Sequence, residues 1–320
     1  MKMFHRKIIY GSIFMLLVIL CIIVNAAWKP PEPSYEGRTL SAWTKDLFFA
    51  EEFSKDPRTP ALREKHEQAV AAIQHMRIEA MPFALKLCRA KDSWLKKKLE
   101  DLTADYSDDV LKYRITPAWE KQEVGGNIIW ALGPMAKPAV PDLLAMLKSG
   151  DRDIAPSAGY ALQGIGIAVI PPLIELLNHT NKEVRLCAMV ALGHFRSQAR
   201  AAIPTLLHCL ENPDPATRSY AARLLGQIKE DAPVVVPAII RCMQNDATNI
   251  NELNYFWALG NFGTNGKSAV PALIQMLESK PGQPDAPLKG PALVALWKID
   301  PKAAQPFVEK TTNPPILRIK

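Results

Sequence analysis

"WALGNFGTNGKSAVPALIQML", Trp257 to Leu277, admits two readings that lead to different proteins. The triplet Gly266-Lys267-Ser268 after a glycine-rich stretch suggests a loop that wraps backbone N–H groups around a nucleotide's phosphates. Such a loop needs four residues between its first glycine and its Gly-Lys pair. Here five lie between Gly260 and Gly266, and two between Gly263 and Gly266. It should also follow a β-strand, whereas "NELNYFWAL", Asn251 to Leu259, has helical patterning. The alternative is two helices and a turn, in which Gly260 ends one helix and Pro271 sits in the first turn of the next. On that reading the chain binds no nucleotide.

The same unit recurs, which decides between the two. Copies read "WALGPMAKPAVPDLLAML" from Trp130, "YALQGIGIAVIPPLIELL" from Tyr160, "VALGHFRSQARAAIPTLLHCL" from Val190 and "RLLGQIKEDAPVVVPAIIRCM" from Arg223. A weaker copy starts at Val294 and a degenerate one, "AAIQHMRIEAMPFALKLC", at Ala71. The key leucines, Leu132, Leu162, Leu192, Leu225, Leu259 and Leu296, stand 30, 30, 33, 34 and 37 residues apart. Leucine and proline are 9 or 12 residues apart in the first five copies, and an insertion of three is one helical turn, which keeps the buried face in register.

Counted from the proline, positions +2, +3, +5 and +6 are apolar throughout: Leu143, Leu144, Met146 and Leu147 in one copy, Leu273, Ile274, Met276 and Leu277 in another. These four share one broad helix face that a lone helix pair cannot shield but stacked neighbours can. The fold expected is all-α, a superhelical α-solenoid of stacked helix pairs. The "ALG" helix ends, the aliphatic-proline starts such as "AVPALI", and the starts "KEVR" at Lys182 and "PATR" at Pro215 resemble HEAT repeats, specifically the short type of phycobilisome lyases. "GRTLSAW", Gly37 to Trp43, with "LCRAKDSWLKKKL" from Leu87, is similar to a segment of bacterial exported, membrane-anchored HEAT-repeat proteins of unassigned function.

The amino terminus has a different composition. Lys2, Arg6 and Lys7 precede Ile8 to Val24, 17 residues without a charge. With Ala26 to Trp28 this is long enough for one transmembrane helix, and the positive flank puts the N-terminus in the cytoplasm and the remainder outside, in the periplasm. Val24 and Ala26 also stand at cleavage spacing before Ala27, so secretion after removal of a signal peptide is the alternative. Residues 29–38 form a proline-rich, semi-rigid spacer. Residues 39–116 form a helical region with the degenerate repeat, in which Thr39 opens a first helix with Ser41 as its cap. Thr116 and Pro117 then start the solenoid, 117–310, as cap and first residue, and 311–320 is a tail. Beyond residue 28 lie 36 basic and 32 acidic residues, a net +4 that makes no case for nucleic acid. The lysines of "WLKKKLEDL", Trp94 to Leu102, belong to a solvated helix face.

No catalytic constellation emerges. Cys88, Cys209 and Cys242 occupy core slots of the repeat and, with Cys187, are read as buried thiols, though a Cys209–Cys242 bridge between neighbouring helices is conceivable. HEAT-like iron hydroxylases use repeated His-Glu pairs, and this chain has one, His66-Glu67, too few for such a site. His179 and His208 would lack a third ligand. Bilin attachment would follow from the family name alone. No metal, cofactor or enzymatic activity is therefore assigned.

Two rows of residues could bind a protein partner. At +4 on the proline-led helices stand Lys86, Ala145, Glu175, His208, Arg241 and Gln275, which the resemblance places on the concave surface as a mixed-charge groove. Two residues before the key leucines stand Trp130, Tyr160, Val190, Arg223, Trp257 and Val294, beside the buried face, where aromatics either wedge between repeats or meet a partner. The function expected is a non-catalytic, membrane-anchored interaction scaffold; a purely architectural envelope protein is the alternative.

Overall fold

The computed structural model describes residues 32–53, 60–94, 98, 117–246, 253–278 and 288–308. The apolar run, most of the charged segment at 93–116, the enlarged loop at 279–287 and the tail lie outside them. Among the described residues no helix is long and apolar enough to cross a membrane. The chain divides into two compact units, residues 1–83 and 84–320.

The first unit opens with a short antiparallel hairpin, β1 (Ser34–Tyr35) and β2 (Arg38–Thr39), so the far end of the proline-rich spacer is ordered. Helices α1 (Leu40–Phe53) and α2 (Pro60–His75) pack on each other. Arg38 ties hairpin to helix, its guanidinium 3.9 Å over the Trp43 ring while it donates to Asp46 at 2.7 Å. The first turn of α1 is capped by Thr39, whose Oγ1 accepts the Ala42 N–H at 3.3 Å; Ser41, the residue the sequence suggested, instead donates its own N–H to Glu32. Helix α3 (Arg77–Cys88) carries the degenerate repeat's Pro82.

The second unit is a stack of helices in two alternating kinds. Those ending at the key leucines are α4 (Ala118–Leu132), α6 (Ala155–Ile165), α8 (Lys182–Gly193), α10 (Pro215–Ile228), α12 (Leu253–Asn261) and α14 (Lys289–Ile299). The proline-led ones are α5 (Val140–Lys148), α7 (Ile170–Leu176), α9 (Ile203–Cys209), α11 (Ala232–Asn245), α13 (Val270–Glu278) and α15 (Pro301–Val308). Between the two kinds, a proline-led helix packs on the leucine helix that follows it, α5 on α6 and α7 on α8, more than on the one before, so the packed pair is offset by one helix from the unit as the sequence repeats it.

Gly266-Lys267-Ser268 lies in a 3-10 segment, Gly263–Ala269, between α12 and α13, with equivalents at Gly133–Ala139, Ile167–Val169 and Arg196–Ala202. Proline occupies the first turn of α5, α7, α9 and α13, where a missing N–H costs nothing. In α11 the connection has become helix: Pro233 takes the first turn and Pro237 lies inside. Thr116 lies outside the described residues; Pro117 precedes α4, and the cap is Asp92, which accepts the Ala118 N–H at 2.9 Å.

Of the four apolar positions, +2, +5 and +6 are buried from α5 through α11, while +3 (Leu144, Ile174, Leu207, Ile240) is half-buried at the margin of the face.

Candidate functional site

The leucine helices pack directly on one another along the stack, each on the one before and the one after. Their register follows from paired contacts. Gly126 faces Ser157 and Tyr160, Gly164 faces Trp130, Gly159 faces Ala191, Gly226 faces Ala258 and Gly260 faces Ala295. Later residues in one helix meet later residues in the next, so these helices run parallel and in step. In Leu-Gly the glycine is therefore a contact residue in several copies. A Cβ at 226 would fall 2.5 Å from the Ala258 Cα, and one at 260 would fall 3.2 Å from the Ala295 Cα. Gly260 does not end its helix, which continues to Asn261; the left-handed residue that turns the chain is Gly263, at φ +53°.

On this continuous row the residues two before each key leucine come to the surface. Trp130, Val190 and Trp257 are 43%, 42% and 39% exposed; Arg223 is exposed, and Tyr160 and Val294 are half-buried. Each aromatic also packs on a neighbouring helix. Trp130 lies across Gly164, Tyr160 across Gly126 and edge-on to His194 at 6.3 Å, and the Arg223 guanidinium stands 5.6 Å over Trp257. The rings thus have one side wedged between repeats and another open to solvent. Burial lowers the pKa of His194, favouring the neutral ring beside Tyr160.

The +4 residues Lys86, Ala145, Glu175, His208, Arg241 and Gln275 are all exposed. The proline-led helices that carry them touch one another far less than the leucine helices do. A ligand on that side meets separated helices, not a continuous wall.

Beneath the stack edge run polar links that sequence patterning did not resolve. Arg185 is buried, donating to the His179 and Thr180 carbonyls at 2.9 Å each and to Thr217 Oγ1 of the next leucine helix at 3.1 Å. Asp214 caps that helix, accepting from the Thr217 N–H at 2.9 Å and hydroxyl at 2.7 Å. One repeat on, Arg218 donates to the Asn212 and Pro213 carbonyls at 2.7 and 2.9 Å and grips Asp246, which also accepts from the Tyr255 hydroxyl. Burial by itself would raise the Asp246 carboxyl, but hydrogen bonds from Arg218 and Tyr255 hold it below its ordinary range; burial and the bond to Asp246 push the Tyr255 phenol up. The signal was a basic residue seven before the key leucine: Arg185, Arg218 and Lys289, which donates to the Leu277 carbonyl at 3.2 Å.

Cys88, Cys187, Cys209 and Cys242 are free and buried. No Cys209–Cys242 bridge forms: Cys242 Sγ donates to the Leu210 carbonyl at 3.4 Å and Cys209 Sγ lies 3.9 Å from that of Leu177. Burial raises each of the four thiols, Cys88 to about 12. His179 Nδ1 accepts from the Asn181 N–H, and His208 stands beside Glu211. Among the described residues no group of three His, Cys, Asp or Glu side chains is placed to hold a metal.

No curated protein matches the chain. Residues 170–253 and 203–297 match the family model of HEAT repeats, and the two matches begin at Ile170 and Ile203, the first residues of α7 and α9. That is where the packing also starts its pairs. Residues 170–297 are thus similar to HEAT repeats and stack as an α-helical array.

Proposed function

We propose that the protein is a non-catalytic scaffold that binds a protein partner along the leucine-helix row, held at a membrane by the apolar run at 8–24 with the stack on the extracytoplasmic side. HEAT repeats commonly serve as protein-interaction scaffolds, which supports the binding role in general terms. The observation that carries the choice of face is the continuous line of Trp130, Tyr160, Val190, Arg223 and Trp257. Tryptophan, tyrosine and arginine are the residues that concentrate binding energy at protein interfaces, because they combine large apolar area with few rotors and directed polar groups. Here they are held by neighbouring glycines and rings, so little ordering is left for the partner to impose. The positive flank and uncharged run at the N-terminus support the anchor and its orientation.

The test is crosslinking in intact cells, with the tagged chain recovered from the membrane fraction. The double variant R223A/W257A should lose the captured partner, and the charge reversals E175K/R241E on the proline-led helices should keep it. Loss with E175K/R241E alone would move the binding face to the other row. A chain recovered outside the membrane fraction, with its N-terminus near Ala27, would sink the anchor.

A further inference from the structure

Because the leucine helices run in step, the turns that follow them lie along one edge of the second unit, and neighbouring turns pack against adjacent helices there. This edge is basic and apolar at once. Lys137, Arg196, Lys229 and Lys267 are exposed on it and have no ion-pair partner among the described residues; Arg200 is exposed and bridges Asp231 at 2.7 Å, and Asp231 and its neighbour Glu230 are the acids of the same turns, so cations predominate. Interspersed with them, Met135, Ile167 and Val234 are among the large apolar side chains most open to water, Ile167 at 61% and Val234 at 59%. The opposite edge, where each proline-led helix turns into the leucine helix that follows it, mixes Asp151, Asp153, Glu211, Asp214 and Asp246 with Lys148, Arg152 and Lys182.

The backbone adds a second observation. Four residues after the key leucine, the chain takes a left-handed conformation in four successive copies: Gly166 at φ +108°, Arg196 at +49°, Lys229 at +60° and Gly263 at +53°. Glycine adopts it without a Cβ clash; arginine and lysine do not. Two turns therefore retain a cation in a slot where it works against stability, a pattern associated with functional positions.

We propose that this turn edge docks on an anionic lipid surface, its cations reaching headgroup phosphates and Met135, Ile167 and Val234 entering the interfacial layer. Mixed basic and aliphatic exposure is the composition of interfacial membrane binding. A nucleic-acid surface would pair its cations with stacking aromatics, and aliphatic side chains in water would add nothing. That a bilayer lies within reach rests on the anchor reading above.

The test uses the full chain with C21S, which leaves the buried Cys88, Cys187, Cys209 and Cys242 as its remaining thiols. Ile167→Cys, Val234→Cys or His208→Cys then carries an environment-sensitive dye. The chain is reconstituted into nanodiscs of phosphatidylcholine, alone or in equal parts with phosphatidylglycerol. The dye at 167 or 234 should shift to the blue and be quenched by lipid-borne quencher in the anionic discs only, and raised salt should reverse this. The dye at 208 should not respond. In K137E/R196E/K267E the response should weaken by about fivefold or more for each cation replaced. R196G/K229G should weaken it too while raising the thermal midpoint, which separates lost binding from lost folding. Equal responses in the two lipids would overturn the proposal, and so would the same shift produced by a short oligonucleotide in phosphatidylcholine discs. Failure of the chain to enter any disc would refute the anchor, and the response to added phosphatidylglycerol vesicles would then decide the edge by itself.

Discussion

Gly226→Ala and Gly290→Ala are the same chemical change in two leucine helices, and the structure assigns them opposite signs. At 226 the new Cβ would fall 2.5 Å from the Ala258 Cα, 2.7 Å from its Cβ and 3.0 Å from its carbonyl oxygen. All three atoms belong to the backbone or are fixed to it, so relief requires α10 and α12 to move apart. Overpacking costs about 1–3 kcal/mol, and a rigid neighbour puts this case in the upper half. Alanine's better helix propensity returns about 1 kcal/mol, leaving a net loss of about 1–2 kcal/mol. At 290 nothing lies within 4 Å of the added methyl, so the propensity term stands alone and the variant gains up to about 1 kcal/mol. The assay is urea denaturation followed by far-ultraviolet circular dichroism, with hydrogen exchange reporting α10 and α12. Since stacked repeats add unit and interface terms nearly independently, G226A should also broaden the transition or split it at this interface. A midpoint for G226A at or above that of the unaltered chain would refute the parallel, in-step packing of these helices, whatever G290A does.

Other consequences can be checked with the same material. D246N leaves the Arg218 guanidinium, itself only 18% exposed, without its counter-charge and should cost about 2–3 kcal/mol, somewhat below the figure for a fully buried pair. Because the Asp246 carboxyl is held low in the folded state, its contribution is present above the ordinary carboxylate pKa of about 3.9 and fades as pH falls through the folded value; the acid limb of the stability curve should be shallower in D246N. His194 is also depressed, by burial, so its contribution is present above about pH 6.5 and is lost as pH falls towards the folded value, and H194Q should remove that part of the dependence. Cys88, buried and pushed up to about 12, should resist alkylation at neutral pH until the chain unfolds, which labelling with mass spectrometry will show.

The repeat, the helix pairs and the core slots at +2, +5 and +6 were legible because burial in a stack imposes one periodicity on every copy. The fate of Gly266-Lys267-Ser268 followed from that repeat. Leu-Gly was misread at Gly260 because glycine serves both helix ends and close helix approach, and a single sequence does not show what lies across the interface. The partnering of α5 with α6 was hidden for a related reason: a periodic string has no preferred starting point, and only the packing supplies one. Pro237 inside α11 escaped because Pro233 upstream already provides a helix start, moving the boundary one turn earlier. Whether the aromatics wedge between repeats or face outward stayed open in the sequence, because their half-exposure depends on the small residues opposite them, Gly126 and Gly164, which belong to different copies. Arg185 and Arg218 look like surface residues in any one repeat; their carbonyl and hydroxyl partners exist only once the turns and neighbouring helices are in place.

The parallel leucine helices also set a length scale. Packed helices generally stand about 8–10 Å apart, and by that measure Trp130, Tyr160, Val190, Arg223 and Trp257, on successive packed helices, should recur at about that interval. A polyproline-type chain advances about 9 Å in three residues, whereas three residues of α-helix advance about 4.5 Å. An extended ligand lying along the row therefore meets one of these side chains at every third position and falls out of step only slowly. The stack is a graduated rule, and its divisions correspond to triplets of an unfolded chain.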